Sequence, residues 1–174
     1  MIFAVVGPSG AGKDLLIRGA LAARPDLRLV RRVITRPADA GSEDHEPATE
    51  EEFLALVARG DFALFWHAHG LRYGLPKTAF DGQGDVIFNG SRAILSDAAR
   101  VFPGLRVILV TAPDDILAAR LAARGRESQT EIRARLARGS FTLPEGIDTY
   151  TVVNDGTAEE GIARFLAVLQ PVSA

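Results

Sequence analysis

Residues 7–14 read Gly-Pro-Ser-Gly-Ala-Gly-Lys-Asp and follow directly on the apolar run Ile2-Phe3-Ala4-Val5-Val6. Glycines at 7, 10 and 12 let the backbone turn successive N–H groups inward, toward an anion. A helix opening on this loop would present its positive end to the same anion, and Lys13 adds a point charge for terminal phosphates. The spacing G-x-x-x-x-G-K holds through Gly7, Gly12 and Lys13. It makes Gly7, Pro8, Ser9, Gly10, Ala11, Gly12, Lys13 and Asp14 a candidate triphosphate-binding loop. The bland alternative is a Gly-rich strand-to-helix turn; the position after a first strand favours the phosphate loop. One letter departs from the pattern. A Ser or Thr after the lysine would ligate Mg²⁺ while staying neutral, but here the residue is Asp14. A carboxylate is also a hard oxygen ligand for Mg²⁺, and its place at a helix start offsets part of its charge. Asp14 is therefore the candidate metal ligand, against the simpler role of a helix-start acid that points away.

The elements that must position this loop alternate in type. Residues 2–6 read as a buried strand, 13–23 as a helix and 27–30 as a strand. Residues 33–47 are polar and rich in turn formers and read as a loop. Thr49 and Glu52 form a capping box ahead of a helix. Residues 62–67 and 71–74 read as two short strands about a turn at His69-Gly70. A strand over 85–89, a helix over 91–100, a strand over 105–110 and a helix over 113–124 follow. A second helix over 128–138, a strand over 149–153 and a helix over 158–169 complete the chain. Such alternation predicts an α/β fold, a mostly parallel sheet with helices on both faces. It is expected to be one domain over 1–174. The core would take about 1–32 and 81–174, and an insertion over about 33–80 would receive a substrate.

The chain has 174 residues, 47% hydrophobic and 24% charged, which suits one globular domain with a real core. Lys and Arg number 20 against 22 Asp and Glu. That balance points away from nucleic acid as partner, so charge for phosphate handling must be local. There is no cysteine, hence no disulfide framework or thiolate metal site. With a strand from residue 2 there is no room for a signal peptide, and no apolar stretch reaches the roughly 20 residues of a membrane span. The expectation is a cytoplasmic protein, monomer or homodimer, with small-molecule substrates.

The loop is similar to that of guanylate kinases, and the likeness continues. Thr35-Arg36-Pro37 with Gly41-x-Glu43-Asp44 resembles their acceptor-binding segment, and Trp66 through Tyr73-Gly74 resembles their small acceptor-side sheet. Arg120-Leu121-x-x-Arg124-Gly125-Arg126 and Arg135-Leu136 resemble their lid, expected here over about 120–138. Asn154-Asp155 resembles the segment beside their adenine. The guanine-reading groups are absent. His45 stands where those kinases carry Tyr, the stretch Phe65-Trp66-His67-Ala68-His69 has no acid, and Asn89 replaces an Asp. A site that hydrogen-bonds a polar base does not keep its discrimination without such groups. The sequence more closely resembles the ribose 1,5-bisphosphate phosphokinase family of phosphonate breakdown. Its likeness runs through the loop ending Gly-Lys-Asp, Ile34-Thr35-Arg36 and Ala40-Gly41-Ser42-Glu43-Asp44-His45. It continues through Trp66-His67-Ala68-x-Gly70-Leu71-x-Tyr73-Gly74, Val86-x-x-Asn89-Gly90-Ser91-Arg92 and Arg124-Gly125-Arg126-Glu127.

This resemblance implies transfer of the ATP γ-phosphoryl to the 1-phosphate of ribose 1,5-bisphosphate, with Mg²⁺, giving 5-phosphoribosyl 1-diphosphate and ADP. A small sugar with two phosphates calls for cations and hydroxyl-binding groups rather than a purine pocket. Arg31, Arg32, Arg36, Arg72, Lys77 and Arg92 supply charge on the acceptor side. Arg31 and Arg32 alternate in face if they lie on a strand, so at most one would enter the site. The acceptor set is Arg36, His45, Trp66, His67, Tyr73, Asn89 and Arg92. Trp66 and Tyr73 are equally at home as core or wall. Lys13, Arg120, Arg124 and Arg135 would stabilise the transferring group, since such transfer depends mainly on positioning and charge. Asn154, in the segment that resembles the one beside the adenine, joins the ATP-binding set, against a plain Asx turn before the last helix. The histidines form no metal set. No general base stands out, and an anionic acceptor needs none. A nucleoside monophosphate kinase of relaxed base choice is the nearest rival. A guanylate-kinase-like binding module without catalysis is the rival of another class, with Lys13 and the lid arginines against it.

Overall fold

The computed structural model describes residues 1–38, 44–123, 144 and 146–170. Strands and helices are numbered along the chain. The main sheet is wholly parallel, in the order β2 (Leu27–Leu29), β7 (Asp85–Asn89), β1 (Ile2–Val6), β8 (Arg106–Thr111) and β9 (Asp148–Val153). The central strand is covered on both faces, which is why its sequence shows no alternation: Phe3, Ala4, Val5 and Val6 are fully buried. One face packs Phe3, Val5 and Ile108 against Leu16, Leu117 and Phe165. These come from α1 (Lys13–Ala23), α4 (Asp114–Ala123) and α5 (Ala158–Val168). On the other face Ala4, Val6, Phe88 and Val107 meet Leu95 and Ala98 of α3 (Leu95–Val101). The main sheet thus points the carboxyl ends of β1, β7 and β8 at one edge, where open α/β sheets place ligands.

A second sheet lies against that same face. Its order is β4 (Glu46–Pro47), β3 (Val33–Ile34), β6 (Leu71–Pro76) and β5 (Phe62–Ala68). β5 and β6 form the expected hairpin, and both His69 (φ 52°) and Gly70 (φ 74°) are left-handed, as its two-residue turn requires. Alternation in β5 sends Leu64 and Trp66 inward and leaves Phe65 and His67 exposed. Ile34, Leu64, Trp66, Tyr73 and Leu75 join the cluster that contains Val6 and Phe88. The outer face is partly covered by α2 (Glu50–Arg59), whose Phe53 packs on Val33 and Phe62.

Two expectations change. Residues 33–47, read as loop, carry β3 and β4. Neither is detectable locally, because each is two residues long and exists through pairing, Val33 with Gly74 and Ile34 with Tyr73, then Val33 with Glu46. Pro47 is tolerated because β4 is the sheet edge. The helix read over 91–100 starts later: Ser91 accepts a hydrogen bond from Ala93 N (3.3 Å) and caps a 3-10 turn at Arg92–Ile94 that leads into α3. The second helix read over 128–138 lies outside the described residues, as do Arg124 and Arg135. Among the described residues no helix is long and apolar enough to cross a membrane.

Candidate active site

The loop between β1 and α1 is built for close backbone approach. A Cβ at Gly7 would sit 2.0 Å from the Val110 carbonyl oxygen, so only glycine lets the chain leave β1 beside β8. Gly12 (φ 91°) is the N-cap of α1 and has no room for a side chain, since a Cβ would lie 2.5 Å from Asn154 Nδ2. The helix N-caps differ in kind. α2 and α5 each carry a full capping box, Thr49 with Glu52 and Thr157 with Glu160. α1 has no side-chain cap, so its first N–H groups remain directed at the loop, where an anion can accept from them. Lys13 Nζ folds back to donate to the carbonyl oxygens of Gly7 (2.9 Å) and Pro8 (3.1 Å), which keeps its charge over the loop.

Two strand ends and one helix brace this loop. Asn154, 2% exposed and just past β9, donates from Nδ2 to Ala11 O at 2.8 Å. Asn89, the last residue of β7, donates from Nδ2 to Asp14 Oδ1 at 3.1 Å. Arg120 on α4 reaches Gly10 O at 3.4 Å. Gly10, Gly12, Leu15, Arg120, Ala123 and Asn154 line a cleft of about 310 Å³, at the small end of ligand-site volumes (about 300–1,000 Å³). Asp155 stands beside it. The Arg164 guanidinium holds the Asp155 carboxyl below the usual carboxylate range, against an opposing push from desolvation, and Arg120 adds a weaker pull. Of the four expected catalytic cations, Lys13 and Arg120 thus meet at the loop.

The acceptor side is organised differently. Arg36 N donates to Ile34 O, so the residue follows tightly on β3. Arg72 N donates to Thr35 Oγ1 (2.9 Å) and Thr35 N to Arg72 O (3.1 Å), which anchors the turn before Arg36 on β6. His45, 3% exposed, lies between Arg36 Nη2 (3.3 Å from Nδ1) and Arg36 O (3.1 Å from Nε2). A guanidinium only donates and a carbonyl only accepts. This pairing therefore assigns the proton to Nε2 and leaves Nδ1 as acceptor. Arg36 Nε is buried with no hydrogen-bond partner among the described residues. Trp66 and Tyr73 stack in parallel (centroids 5.3 Å apart, 8° between planes). The Arg32 guanidinium lies 5.0 Å from the Tyr73 ring centre and 5.9 Å from that of Trp66.

The structure therefore brings Arg36 to His45, and Trp66 to Tyr73 with Arg32. It does not bring His67 to them, because the pleat of β5 sends that side chain to the exposed face. Asn89 meets the loop through Asp14, and Arg92 sits partly buried in the turn after β7. Arg31 pairs with Asp44 (3.0 Å) and Glu46 (2.7 Å) in solvent, Arg72 pairs with Glu50, and Lys77 is exposed. Arg31 and Arg32 lie between β2 and β3, outside both strands, and of the two only Arg32 turns inward. Arg32 is left out of the acceptor set read from the sequence, although one of Arg31 and Arg32 is allowed to enter the site. Its signal was the parity with Ile34 combined with the aromatic pair, which become neighbours only across the small sheet.

A parallel sheet that delivers a glycine loop to an uncapped helix, with a small sheet across the cleft, defines a P-loop α/β protein of guanylate-kinase type. The guanylate kinase of Anaplasma phagocytophilum aligns over 97% of this chain and 84% of its own, with TM-score 0.69 at 19% identity. A gluconokinase of Sinorhizobium meliloti aligns over 96% and 90%, with TM-score 0.55 at 17% identity. These likenesses concern the fold. No family model matches the chain. The chain belongs to the ribose 1,5-bisphosphate phosphokinase family. It is 50% identical over 173 residues to the Ruegeria ribose 1,5-bisphosphate phosphokinase, covering 97% of this chain and 91% of that protein. It is 44% identical to that of Rhizobium etli, covering 98% and 89%. It is also 47% identical to part of a bifunctional ribose 1,5-bisphosphokinase-thymidine phosphorylase of Cupriavidus pinatubonensis, of which it spans 29%.

Proposed function

We propose that this chain transfers the γ-phosphoryl group of Mg²⁺-bound ATP to the 1-phosphate of ribose 1,5-bisphosphate, giving 5-phosphoribosyl 1-diphosphate and ADP. An oxygen of the 1-phosphate forms the new bond to the γ-phosphorus. The bond from that phosphorus to the β,γ-bridging oxygen breaks, and ADP leaves with the electron pair. The acceptor is already anionic, so no base is required. The loop at 7–13 holds the donor phosphates, and the cleft beside Arg120 and Asn154 takes the nucleoside. Lys13 and Arg120 stabilise charge on the transferring group. Arg124 and Arg135 remain part of the same proposal as lid cations.

Mg²⁺ suits the residues present. Asp14 offers a hard carboxylate oxygen at the loop, and no group of three or more His, Cys, Asp or Glu side chains among the described residues forms a protein-only metal site. Mg²⁺ commonly takes one or two carboxylates together with substrate phosphates. Bound there, it would neutralise charge on the β- and γ-phosphates.

One observation carries the acceptor assignment. The buried polar or charged residues among those described are Arg32, His45 and Asn154, and none is a carboxylate. Two of them, with the unsatisfied Nε of Arg36, lie on the acceptor side. Arg32 and Arg36 bring positive charge to that surface, which suits a phosphorylated sugar; a guanine N1–H and amino group would need acceptors. The test is a ³¹P NMR time course with ATP and ribose 1,5-bisphosphate. The diphosphate signals of the expected product should grow as the γ-phosphate signal of ATP falls. Consumption of ATP with GMP, but none with the sugar bisphosphate, would favour the nucleoside monophosphate kinase reading instead.

A further inference from the structure

Asn89 ends β7, and its backbone place is fixed by the register of β7 on β1, Val5 opposite Asn89, with Gly90 N donating to Val5 O at 2.9 Å. Its side chain contacts Asp14 in the first turn of α1, 75 residues away in sequence. A carboxylate accepts only, so the amide must present its nitrogen to Asp14. Among the described residues Asn89 engages Oδ1 of Asp14, and Oδ2 makes no side-chain hydrogen bond. Phosphate loops ordinarily pair a neutral hydroxyl after the lysine with a carboxylate from elsewhere in the site, both serving Mg²⁺. Here the helix start carries the charge and the strand end carries the neutral group.

We propose that Asp14 and Asn89 form one magnesium-positioning unit in which the charge has changed places. Asp14 supplies the ligand oxygen, and Asn89 is a positioning residue that fixes the carboxylate through Oδ1 and leaves Oδ2 to the cation. The exchange keeps one negative charge across the pair. Two facing carboxylates at this separation would repel, and one would tend to take up a proton whenever the cation left. The unit also ties the first turn of α1 to the sheet, so the ligand is set by strand register rather than by a free rotamer. This inference assigns Asn89 to the donor side rather than to the acceptor, and it rests on the Mg²⁺–ATP reading above.

The test reads metal binding without turnover. Mn²⁺ affinity of the protein–ADP complex is measured by electron paramagnetic resonance, and ADP affinity in EDTA by calorimetry, on variants whose circular dichroism matches the parent. Loss of an outer partner of a metal ligand typically weakens metal binding about 10–100-fold. Asn89→Ala should therefore weaken Mn²⁺ about tenfold or more while metal-free ADP affinity stays within twofold. Asp14→Ala should weaken it at least as much. The double variant Asp14→Ser with Asn89→Asp should recover most of the loss. If Asp14→Ala binds Mn²⁺ like the parent, the metal reading itself falls. If Asp14→Ala is impaired and Asn89→Ala is not, that reading stands and the pairing falls. A double variant no better than Asn89→Ala overturns the exchange. A change confined to the KM for ribose 1,5-bisphosphate in Asn89→Ala returns Asn89 to the acceptor side and also overturns the proposal.

Discussion

At the loop of residues 7–14 the donors available to an anion are mostly backbone N–H groups, with Lys13 and, from α4, Arg120 as side-chain cations. Across the cleft, on the small sheet, the cations proposed to meet the acceptor are side chains: Arg36 held by His45, and Arg32 over Tyr73 and Trp66. Backbone donors are fixed as soon as the strand, the glycines and the helix form. Guanidiniums on long stems need further support, and the small sheet supplies it through a buried histidine and a pair of stacked rings. The first arrangement suits a triphosphate, which every donor nucleotide shares. The second suits discrimination, because the spacing of two or three cations can be matched to one acceptor.

Substitutions separate these two regions. The largest effect is expected at Lys13. Lys13→Ala should lower kcat/KM by about 10³-fold, the scale of a lost charge-stabilising group at a transferring phosphoryl. A loss under tenfold in steady-state assays would detach the loop from the chemistry. Next comes Arg36→Lys, which keeps charge but loses the planar fork. It should raise the KM for the sugar bisphosphate by about 30-fold, the equivalent of about 2 kcal/mol for a charge-assisted bond, and leave the KM for ATP unchanged. Equal shifts in both KM values would erase the distinction between the two sides. His45→Ala should follow the same pattern at about tenfold, because it removes support from Arg36 rather than a contact with the donor. An unchanged acceptor KM there would leave His45 a packing residue.

The smallest effect lies at the opposite end of the main sheet. Burial pushes the Asp85 carboxyl up, but the Met1 ammonium (2.6 Å) and Arg24 (2.8 Å) outweigh it and hold it below the usual range. A depressed carboxyl pKa contributes stability that is fully present above the unfolded value, about 3.9, and is lost as pH falls through the lower folded value. Asp85→Asn should therefore cost about 1–2 kcal/mol near neutral pH. The gap from the parent should close below about pH 4, as followed by urea titration at several pH values. A gap independent of pH would remove the ion-pair account and leave activity arguments untouched.

The two regions also differ in how far the sequence exposes them. The loop is contiguous, and its glycines, lysine and preceding apolar strand lie within 13 residues, so its chemistry is readable before any contact is known. The capping boxes at Thr49 and Thr157 are equally local, four residues each. The acceptor side joins residues from 32 to 73, and its parts gain meaning only by long-range pairing. β3 is a strand because Tyr73 and Gly74 lie beside it. His67 stands one residue from Trp66, yet the pleat sends it to the other face. Arg32 was legible as one of two alternating arginines, but its place against the aromatic pair was not, since those rings are more than 30 residues away. Asn89 enters the acceptor set as part of the motif from Val86 to Arg92, while its side chain bonds Asp14 of the loop. Its bond to Asp14 depends on β1–β7 register, which no local pattern encodes.

The central claim is that the acceptor side reads charge on a sugar rather than the edge of a base. Its most direct test is the ratio of kcat/KM for ribose 1,5-bisphosphate to that for GMP, measured on the same enzyme with saturating Mg²⁺–ATP. The account predicts a ratio of at least about 10³, since a site lacking the groups that hydrogen-bond a base forfeits that discrimination. A ratio below one would contradict it.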